Sequence, residues 1–293
     1  MAILNLGSIN VDRAYHLKSL PLPGETVTAL SEQIGLGGKG ANQSVAIART
    51  GGSVVHLGAI GHGDGWLTDF LQSAKVDTGH VHLRKNVQTG QAFVMVGEDG
   101  ENSIVLSQGA NATLTTSEIS AAIATMAAYD WLLFQNETNG IAEAARLARA
   151  HGMKVAFAAA PFEASSVLPL LPLIDLLALN EVEHAQLQAA CGDQPITLPA
   201  LLVTSGARGA RYVDHTQSIA VEALTVTAVD TTAAGDTFLG TFLACLDGGD
   251  DVRQSLHYAN AAAALKVTLK GAATAIPSRQ DVESFLKGRP PHI

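Results

Sequence analysis

Short apolar runs recur along the chain and alternate with longer segments that carry one apolar face. The runs predict buried strands at residues 3–6, 54–60, 131–134, 155–158, 176–179 and 201–204. The segments between them predict helices at residues 41–49, 66–75, 117–128, 140–151 and 181–190, with another beginning near Thr237. Because βα units with short connections form right-handed crossovers, we expect an α/β fold with a largely parallel central sheet covered by helices.

Two segments depart from this alternation. Residues 13–36 contain a proline-containing turn, and residues 26–28 predict a short exposed strand after it. Residues 88–107 contain two β-rich runs around the acidic turn EDGE at residues 98–101, which predicts a hairpin. We expect the two segments to form one small sheet outside the main core.

Polar side chains follow several of the predicted strands. Ligands of parallel α/β sheets bind at the carboxyl ends of the strands. We therefore expect one crevice lined by Asn10, Asp12, Glu137, Asn180, Glu183 and Thr204.

Composition limits the class of protein. A chain of 293 residues that is 47% hydrophobic suits a single α/β domain over residues 1–293. Acidic residues outnumber basic ones by 27 to 18, for a net charge of −9, so we expect no nucleic-acid partner. A small anion such as ATP remains compatible, because backbone amides and a metal ion can hold phosphates.

Sequence features also bear on the compartment. Cys191 and Cys245 lie far apart and show no metal-ligand spacing, which favours two reduced thiols in the cytoplasm. The first ten residues lack the basic region of a signal peptide. The longest apolar stretch, residues 167–179, is broken by two prolines and an aspartate, so we expect no membrane span.

The run AVDTTAAGDTF at residues 228–238 is the sharpest local motif. Its small residues Ala233, Ala234 and Gly235 precede an apolar helix whose first N–H groups have no partner within the helix. Those groups and the helix dipole can stabilise a transferring phosphoryl group, and Asp236 can take the proton of an attacking hydroxyl. The alternative is an aspartate helix cap beside a tight turn.

A second glycine-rich run occupies residues 35–40. It matches G-x-G-x-x-G literally, but no buried strand precedes it and no acidic residue follows at the required distance, so a nicotinamide oxidoreductase is disfavoured. It does not match the Walker A pattern either. We expect a backbone that a polyhydroxyl substrate approaches closely, with Lys39 and Asn42 offering hydrogen bonds. A simple turn and helix start is the alternative.

Two further strand ends carry polar residues. Asn180 and Glu183 can hold Mg²⁺ through waters, or they can form a solvated helix cap. The run TSGARG at residues 204–209 can contact phosphates or a nucleotide ribose, or form an ordinary turn.

Together these motifs resemble the ribokinase-like, or PfkB, family of carbohydrate kinases. The resemblance rests on nine blocks in the family's order: GSINVD at 7–12, PGETV at 23–27, GGKGANQ at 37–43, GENSIVLSQGAN at 100–111, QNE at 135–137, NEVE at 180–183, TSGARG at 204–209, DTTAAGD at 230–236 and KGA at 270–272. It implies a three-layer α/β/α fold with a small β-sheet lid and an ATP-dependent transfer of phosphate to a sugar alcohol.

The resemblance implies a role for each motif residue. The sugar would be bound by Asn10, Asp12, Gly38, Lys39, Asn42, Glu137 and Asp236. Asp236 would be the base, and the anion hole would be formed by the backbone amides of Ala233, Ala234, Gly235 and Asp236. The nucleotide would contact Asn180, Thr204, Gly206, Gly209 and Asn260, and Glu183 would hold Mg²⁺ through water. A monovalent cation, usually K⁺, would be held by Asp230 and the carbonyls of Thr232, Lys266, Leu269 and Gly271.

The resemblance also bears on substrate and assembly. The blocks GSINVD, GGKGANQ and GENSIVLSQGAN are most similar to members that convert D-ribose to D-ribose 5-phosphate. Kinases of deoxyribose, pseudouridine or another nucleoside and a non-catalytic ligand-sensing member remain alternatives. The lid would comprise residues 13–36 and 88–107 and would pair in a homodimer.

The chain departs from the family pattern at three places. Residues 159–161 read Ala-Ala-Pro where members usually carry Asn-Pro, so one polar contact is missing. The segment between Gly192 and Leu201 is shortened. Ala275 stands where a side-chain oxygen often completes the cation site, which brings K⁺ activation into question.

Overall fold

The structure, a computed structural model, describes residues 1–99, 101–192 and 198–288. Its strands are β1 (Ile3–Leu6), β2 (Asn10–Leu17), β3 (Ser31–Gly37), β4 (Val54–Gly61), β5 (Asp77–Arg84), β6 (Gly90–Gly97), β7 (Asn102–Ser107), β8 (Trp131–Gln135), β9 (Lys154–Ala158), β10 (Leu176–Asn180), β11 (Ala200–Thr204), β12 (Ala210–Asp214) and β13 (Ser218–Val221). Its α-helices are α1 (Lys39–Thr50), α2 (Gly65–Ser73), α3 (Thr116–Ile123), α4 (Ile141–Ala150), α5 (Ala164–Val167), α6 (Glu181–Cys191), α7 (Ala234–Asp247), α8 (Val252–Lys266) and α9 (Arg279–Leu286).

The large sheet is mostly parallel. Its order among the described residues is β13-β12-β11-β10-β9-β8-β1-β4-β5, and every pairing from β11 to β5 is parallel. Only β12 and β13 in this sheet pair antiparallel, at one edge. The prediction of an α/β fold with a largely parallel central sheet is therefore confirmed.

Helices cover both faces of this sheet. Successive side chains of a strand point to opposite faces. In β8, Leu133 packs in the core with α1, α2, α7 and α8, whereas Leu132 and Phe134 pack in a second core with α3, α4 and α6. The molecule thus has the three α/β/α layers that the resemblance implies.

A second, smaller sheet has the order β3-β2-β6-β7. The predicted hairpin is confirmed as β6 and β7, with Gly100 of its turn outside the described residues. The predicted strand at residues 26–28 is wrong. The chain there is exposed and unpaired. The strand next to β2 on this side is β3, because residues 31–37 are the ones that pair in register with residues 10–16.

The small sheet also changes the position of two expected site residues. Asn10 and Asp12 were expected at the end of the first strand, but they begin β2, since residues 7–9 separate the two strands.

The shortening between Gly192 and Leu201 involves residues 193–197, which lie outside the described residues. Within the described ranges, no helix combines the length and apolar character needed to cross a bilayer.

Candidate active site

Two cavities meet at the amino end of α7. The smaller, of about 180 Å³, is lined by residues that include Lys39, Glu183 and Asp236. The larger, of about 380 Å³, is mostly apolar and is lined by loop and helix residues of the β11–β13 side. Both cavities are lined by Ala234 and Gly235. A group passing from one cavity to the other must therefore pass the small residues of the motif.

The start of α7 leaves backbone N–H groups available to a ligand. Among the described residues no side chain caps this helix, and its N-cap residue Ala233 has φ 60° and ψ 13°. This left-handed conformation costs an L-residue roughly 1–2 kcal/mol. A Cβ atom on Gly235 would meet no described atom within 4 Å. The first turn therefore presents an open, positively polarised surface to an anion.

The carboxylate of Asp236 is held in place by two amides from α1. Asn42 Nδ2 donates to Oδ2 at 3.1 Å, and Gln43 Nε2 donates to Oδ1 at 2.9 Å. Gln135 Nε2 in turn donates to Gln43 Oε1 at 2.6 Å. Each carboxylate oxygen keeps a further lone pair, so Asp236 is oriented and can still accept a proton. The sequence predicted Asn42 here but not Gln43, although Gln43 ends the GGKGANQ block.

Further charged residues surround Asp236. Ser8 Oγ and the Lys39 backbone N–H both donate to Glu137 Oε2, at 2.5 and 3.1 Å, and the Lys39 ammonium lies 3.9 Å from Oε1. Burial lowers the pKa of Lys39, but the carboxylates of Asp236 and Glu137 outweigh it, and the net pKa is raised. Lys39 therefore stays positively charged among these carboxylates.

Asp12 is the unusual acid of the site. Its pKa is raised to about 7, mainly by burial and further by repulsion from Glu137 and Asp236, while Lys39 opposes the rise. Its Oδ1 and Oδ1 of Asn42 are buried acceptors without a hydrogen-bond donor in the described part of the chain. Two buried acceptors beside a carboxylate cluster fit a ligand with several hydroxyl groups.

Asn10 and Gly38 complete the predicted sugar side. Asn10 Oδ1 accepts from Asn111 Nδ2 at 2.7 Å, and Asn111 Oδ1 accepts from the Ile9 backbone at 3.0 Å. Asn111 was not predicted, although it ends the GENSIVLSQGAN block. Gly38 has φ 92°, and a Cβ there would lie 2.7 Å from the Ser8 carbonyl oxygen, so only glycine lets α1 begin so close to the first loop.

Asn180 and Glu183 form a capping box at the start of α6. Asn180 Oδ1 accepts from Glu183 N, and Glu183 Oε2 accepts from Asn180 N, each at 2.8 Å. Burial raises the pKa of Glu183. Both residues line the smaller cavity, so this helix cap also borders the space where a ligand can bind. Ala160 belongs to the Ala-Ala-Pro segment that differs from the family pattern, and it lines the same cavity without a polar side chain.

The remaining predicted nucleotide residues line the larger cavity. Thr204 borders both cavities, and Gly206, Gly209 and Asn260 border the larger one. Asn260 Nδ2 donates to the Glu222 carbonyl at 2.7 Å. This hydrogen bond joins α8 to the loop that follows β13. The structure thus brings together the residues predicted for the nucleotide.

The predicted cation ligands lie in the loop that leads into α7 and at or just beyond the carboxyl end of α8. Burial opposes ionisation of Asp230, but hydrogen bonds from Thr232 and Gly271 outweigh it and lower its pKa. Lys266 is fully buried, and its ammonium donates to the Asp230 carbonyl at 2.9 Å. Burial lowers the pKa of Lys266, and Asp230 opposes this. No group of three or more His, Cys, Asp or Glu placed to hold a metal occurs in the described ranges.

Known proteins resemble this chain over nearly its whole length. A family model described as pfkB family carbohydrate kinase matches residues 2–279. A ribokinase of Haemophilus influenzae is 37% identical over 96% of this chain and 97% of its own length, and a deoxyribokinase of Salmonella typhimurium is 29% identical over 98% and 99%. A crystal structure of ribokinase from Cryptococcus neoformans var. grubii in complex with ADP superposes with a TM-score of 0.86 and 29% identity, covering 97% and 99% of the two chains.

Proposed function

The chain belongs to the pfkB family of carbohydrate kinases and is an ATP-dependent sugar kinase; we propose that it converts D-ribose to D-ribose 5-phosphate. One observation carries the proposed mechanism: Asp236 lines the smaller cavity next to Gly235, which borders both cavities, and its carboxylate is fixed by Asn42 and Gln43. The full-length similarity to a ribokinase supports ribose as the substrate.

In the proposed reaction Asp236 is the general base. It accepts the proton of the sugar's primary hydroxyl as that oxygen bonds to the γ-phosphorus of ATP, and the bond from phosphorus to the ADP oxygen breaks. Of the predicted amides of residues 233–236, that of Ala234 already donates to the Thr231 carbonyl at 3.2 Å, so those of Ala233, Gly235 and Asp236 would stabilise the charge on the transferring group. Gly235 suits this role because no side chain separates its backbone from the cavities.

The sugar would occupy the smaller cavity and the buried acceptors beside it. Asp12 Oδ1 and Asn42 Oδ1 would each gain a donor from a sugar hydroxyl. Glu137 would accept a further hydroxyl, and Asn10, Gly38 and Lys39 would complete the site. Since hydroxyls are the only groups of ribose that can satisfy so many acceptors, these contacts would also select against apolar ligands.

Mg²⁺ would accompany ATP, with Glu183 holding it through water. The Oε1 atom of Glu183 is not used in the capping box, and both Glu183 and Asn180 line the smaller cavity. Bound with ATP, Mg²⁺ neutralises phosphate charge. The adenine and ribose of ATP would lie along Thr204, Gly206, Gly209 and Asn260 in the larger, apolar cavity.

The proposal does not extend to a bound K⁺. The residues expected to hold it include Lys266, whose own ammonium already donates to the carbonyl of Asp230, another of these residues. We do propose the cytoplasm as the compartment, since ATP is available there and both cysteines are free.

A coupled assay of ADP release with a panel of sugars tests the substrate. We expect D-ribose to give the highest kcat/KM, and 2-deoxyribose, pseudouridine and other nucleosides to give less. Strong turnover of deoxyribose or a nucleoside with none of ribose would replace ribose by that substrate. Absence of turnover with every substrate, while the sugar and ATP still bind, would favour the ligand-sensing alternative.

A further inference from the structure

The side chain of Lys266 has an unusual environment. It belongs to the last residue of α8 and is fully buried, where lysines are seldom found without a partner. Its ammonium donates to the carbonyl of Asp230 at 2.9 Å. Asp230 lies six residues before the proposed base in the same loop. A buried positive charge therefore contacts the loop that leads into the proposed anion hole.

The hydrogen bond from Lys266 joins the end of α8 to the loop before α7, and other contacts also connect these two segments. The backbone N–H groups of Val229 and Asp230 both donate to the Val267 carbonyl, at 2.7 and 3.1 Å. The Gly271 N–H donates to Asp230 Oδ2 at 2.8 Å. The loop that leads into α7 is thus anchored to the carboxyl end of α8. That end carries negative partial charge from its unpaired carbonyls, to which Asp230 adds a full charge.

Among the groups expected to hold a monovalent cation, Asp230 and the Lys266 carbonyl already accept hydrogen bonds, and the Lys266 ammonium contacts Asp230. Asp230 Oδ1 and Oδ2 accept from the backbones of Thr232 and Gly271, and the Lys266 carbonyl accepts from Leu269 N at 3.0 Å. Ala275 contributes no side-chain oxygen. A second cation beside a buried ammonium would also be repelled strongly in this poorly solvated region.

We propose that the Lys266 ammonium is a built-in cation that takes the place of bound K⁺ and makes the enzyme independent of monovalent cations. It compensates the negative charge of Asp230 and the end of α8. It also keeps residues 230–232 in the conformation from which α7 begins, with Ala234 N donating to the Thr231 carbonyl at 3.2 Å. Lys266 is therefore a positioning residue, and its effect on catalysis rests on the proposed kinase activity.

The test compares K⁺ with tetramethylammonium at constant ionic strength. Two quantities are measured: the Tm, which needs no activity, and the rate of ribose-dependent ADP release. In the unaltered protein neither should respond to K⁺. In Lys266→Ala, which removes the ammonium and opens space, we expect kcat to fall by about tenfold or more and the Tm to fall. K⁺ should then partly restore both.

Two variants separate charge from packing. Lys266→Met keeps the volume without the charge, so it should lose activity and show no recovery with K⁺. Lys154→Met removes a partly buried lysine that lies over Trp131, far from this loop, and should behave like the unaltered protein.

The proposal is overturned if K⁺ raises the Tm and the rate of the unaltered protein severalfold more than tetramethylammonium, or if Lys266→Ala loses no activity. If neither Lys266 variant folds, the K⁺ titration of the unaltered protein decides alone. If that protein has no ribose activity, the proposed substrate fails separately, and the K⁺ dependence of the Tm still decides the role of Lys266.

Discussion

At the scale of single residues, a chain of buried amides supports the proposed base. Gln135 Nε2 donates both to Asn5 Oδ1 at 2.9 Å and to Gln43 Oε1 at 2.6 Å. Gln43 Nε2 in turn donates to Asp236 Oδ1. Since Asn5 and Gln135 are fully buried in the central sheet, these hydrogen bonds connect the carboxylate of Asp236 to the interior of that sheet.

Gln43→Ala should lower kcat because Asp236 loses one of its two amide donors. Misplacement of a base by a fraction of an ångström to one ångström costs up to about 100-fold in rate, so we expect a loss of about 10- to 100-fold with the KM for ATP nearly unchanged. Steady-state kinetics measure this. Gln72→Ala, on the exposed face of α2, is the matched control. An unchanged kcat in Gln43→Ala would remove Gln43 from the mechanism.

Asp12→Asn should change how stability depends on pH. The pKa of Asp12 is raised to about 7 in the folded chain, against about 3.9 in an unfolded one. Between these values the folded chain keeps a proton that the unfolded chain has lost, so the stability gained at low pH is lost as the pH rises to about 7. Asparagine cannot ionise, so the Tm of the variant relative to the unaltered protein should be higher at pH 8 than at pH 5. Thermal unfolding at both values measures this, and an equal difference at both would contradict the raised pKa.

Sequence alone identified Asp236, Asn42 and Glu137 as residues that the structure brings to one place. It did not identify Gln43, because the contact depends on α1 packing against α7 across 193 positions of sequence. The raised pKa of Asp12 could not be predicted from the sequence either, since it arises from burial and from the carboxylates that the fold brings near it.

At the scale of elements, the first turn of α7 serves both helix stability and ligand access. Gly235→Ala separates the two. Alanine favours a helix over glycine by roughly 0.5–1 kcal/mol, and its Cβ would meet no described atom within 4 Å. The Tm should therefore hold or rise, whereas kcat should fall because the methyl group enters the space proposed for the phosphoryl group.

Thermal unfolding and kinetics on the same samples check this pair of outcomes. Gly65→Ala is the matched control, because Gly65 begins α2, has equally open space at its Cβ and lies outside both cavities. Full activity of Gly235→Ala would place the phosphoryl group elsewhere.

The elements that sequence predicted are those with buried apolar runs. The strand predicted at 131–134 is β8, in which every residue is buried. Strand β5 was missed because its sequence DTGHVHLR is polar and its side chains are partly or largely exposed at the sheet edge. The strand predicted at residues 26–28 lies instead at residues 31–37, as β3, for a related reason. The first four residues of β3 are exposed and show no buried apolar run, so its position depends on pairing with β2.

At the scale of the whole molecule, the small sheet carries a partly exposed row of apolar side chains with Arg13 among them. Ile34, Phe93 and Val105 lie in register across β3, β6 and β7 through Arg13 of β2. Ile34 and Val105 are at least 50% exposed. Apolar patches on a sheet favour pairing with another surface, which supports the homodimer that the family resemblance led us to expect through residues 13–36 and 88–107.

Light scattering should therefore give twice the chain mass of 30.3 kDa. Val105→Asp should shift the mass toward the monomer, because it places a charge in the apolar row. Val182→Asp changes an exposed valine on α6 and should leave the mass unaltered. A monomeric unaltered protein would refute pairing through this sheet.

The central claim is that Asp236 is the base of an ATP-dependent ribose kinase, and Asp236→Asn tests it most directly. The substitution keeps the size of the side chain and removes its ability to accept the hydroxyl proton. We predict a loss of about 10²–10⁴ in kcat for ribose, with ATP binding by calorimetry nearly unchanged. A variant that phosphorylates ribose at the unaltered rate would contradict the assignment of Asp236 as the base.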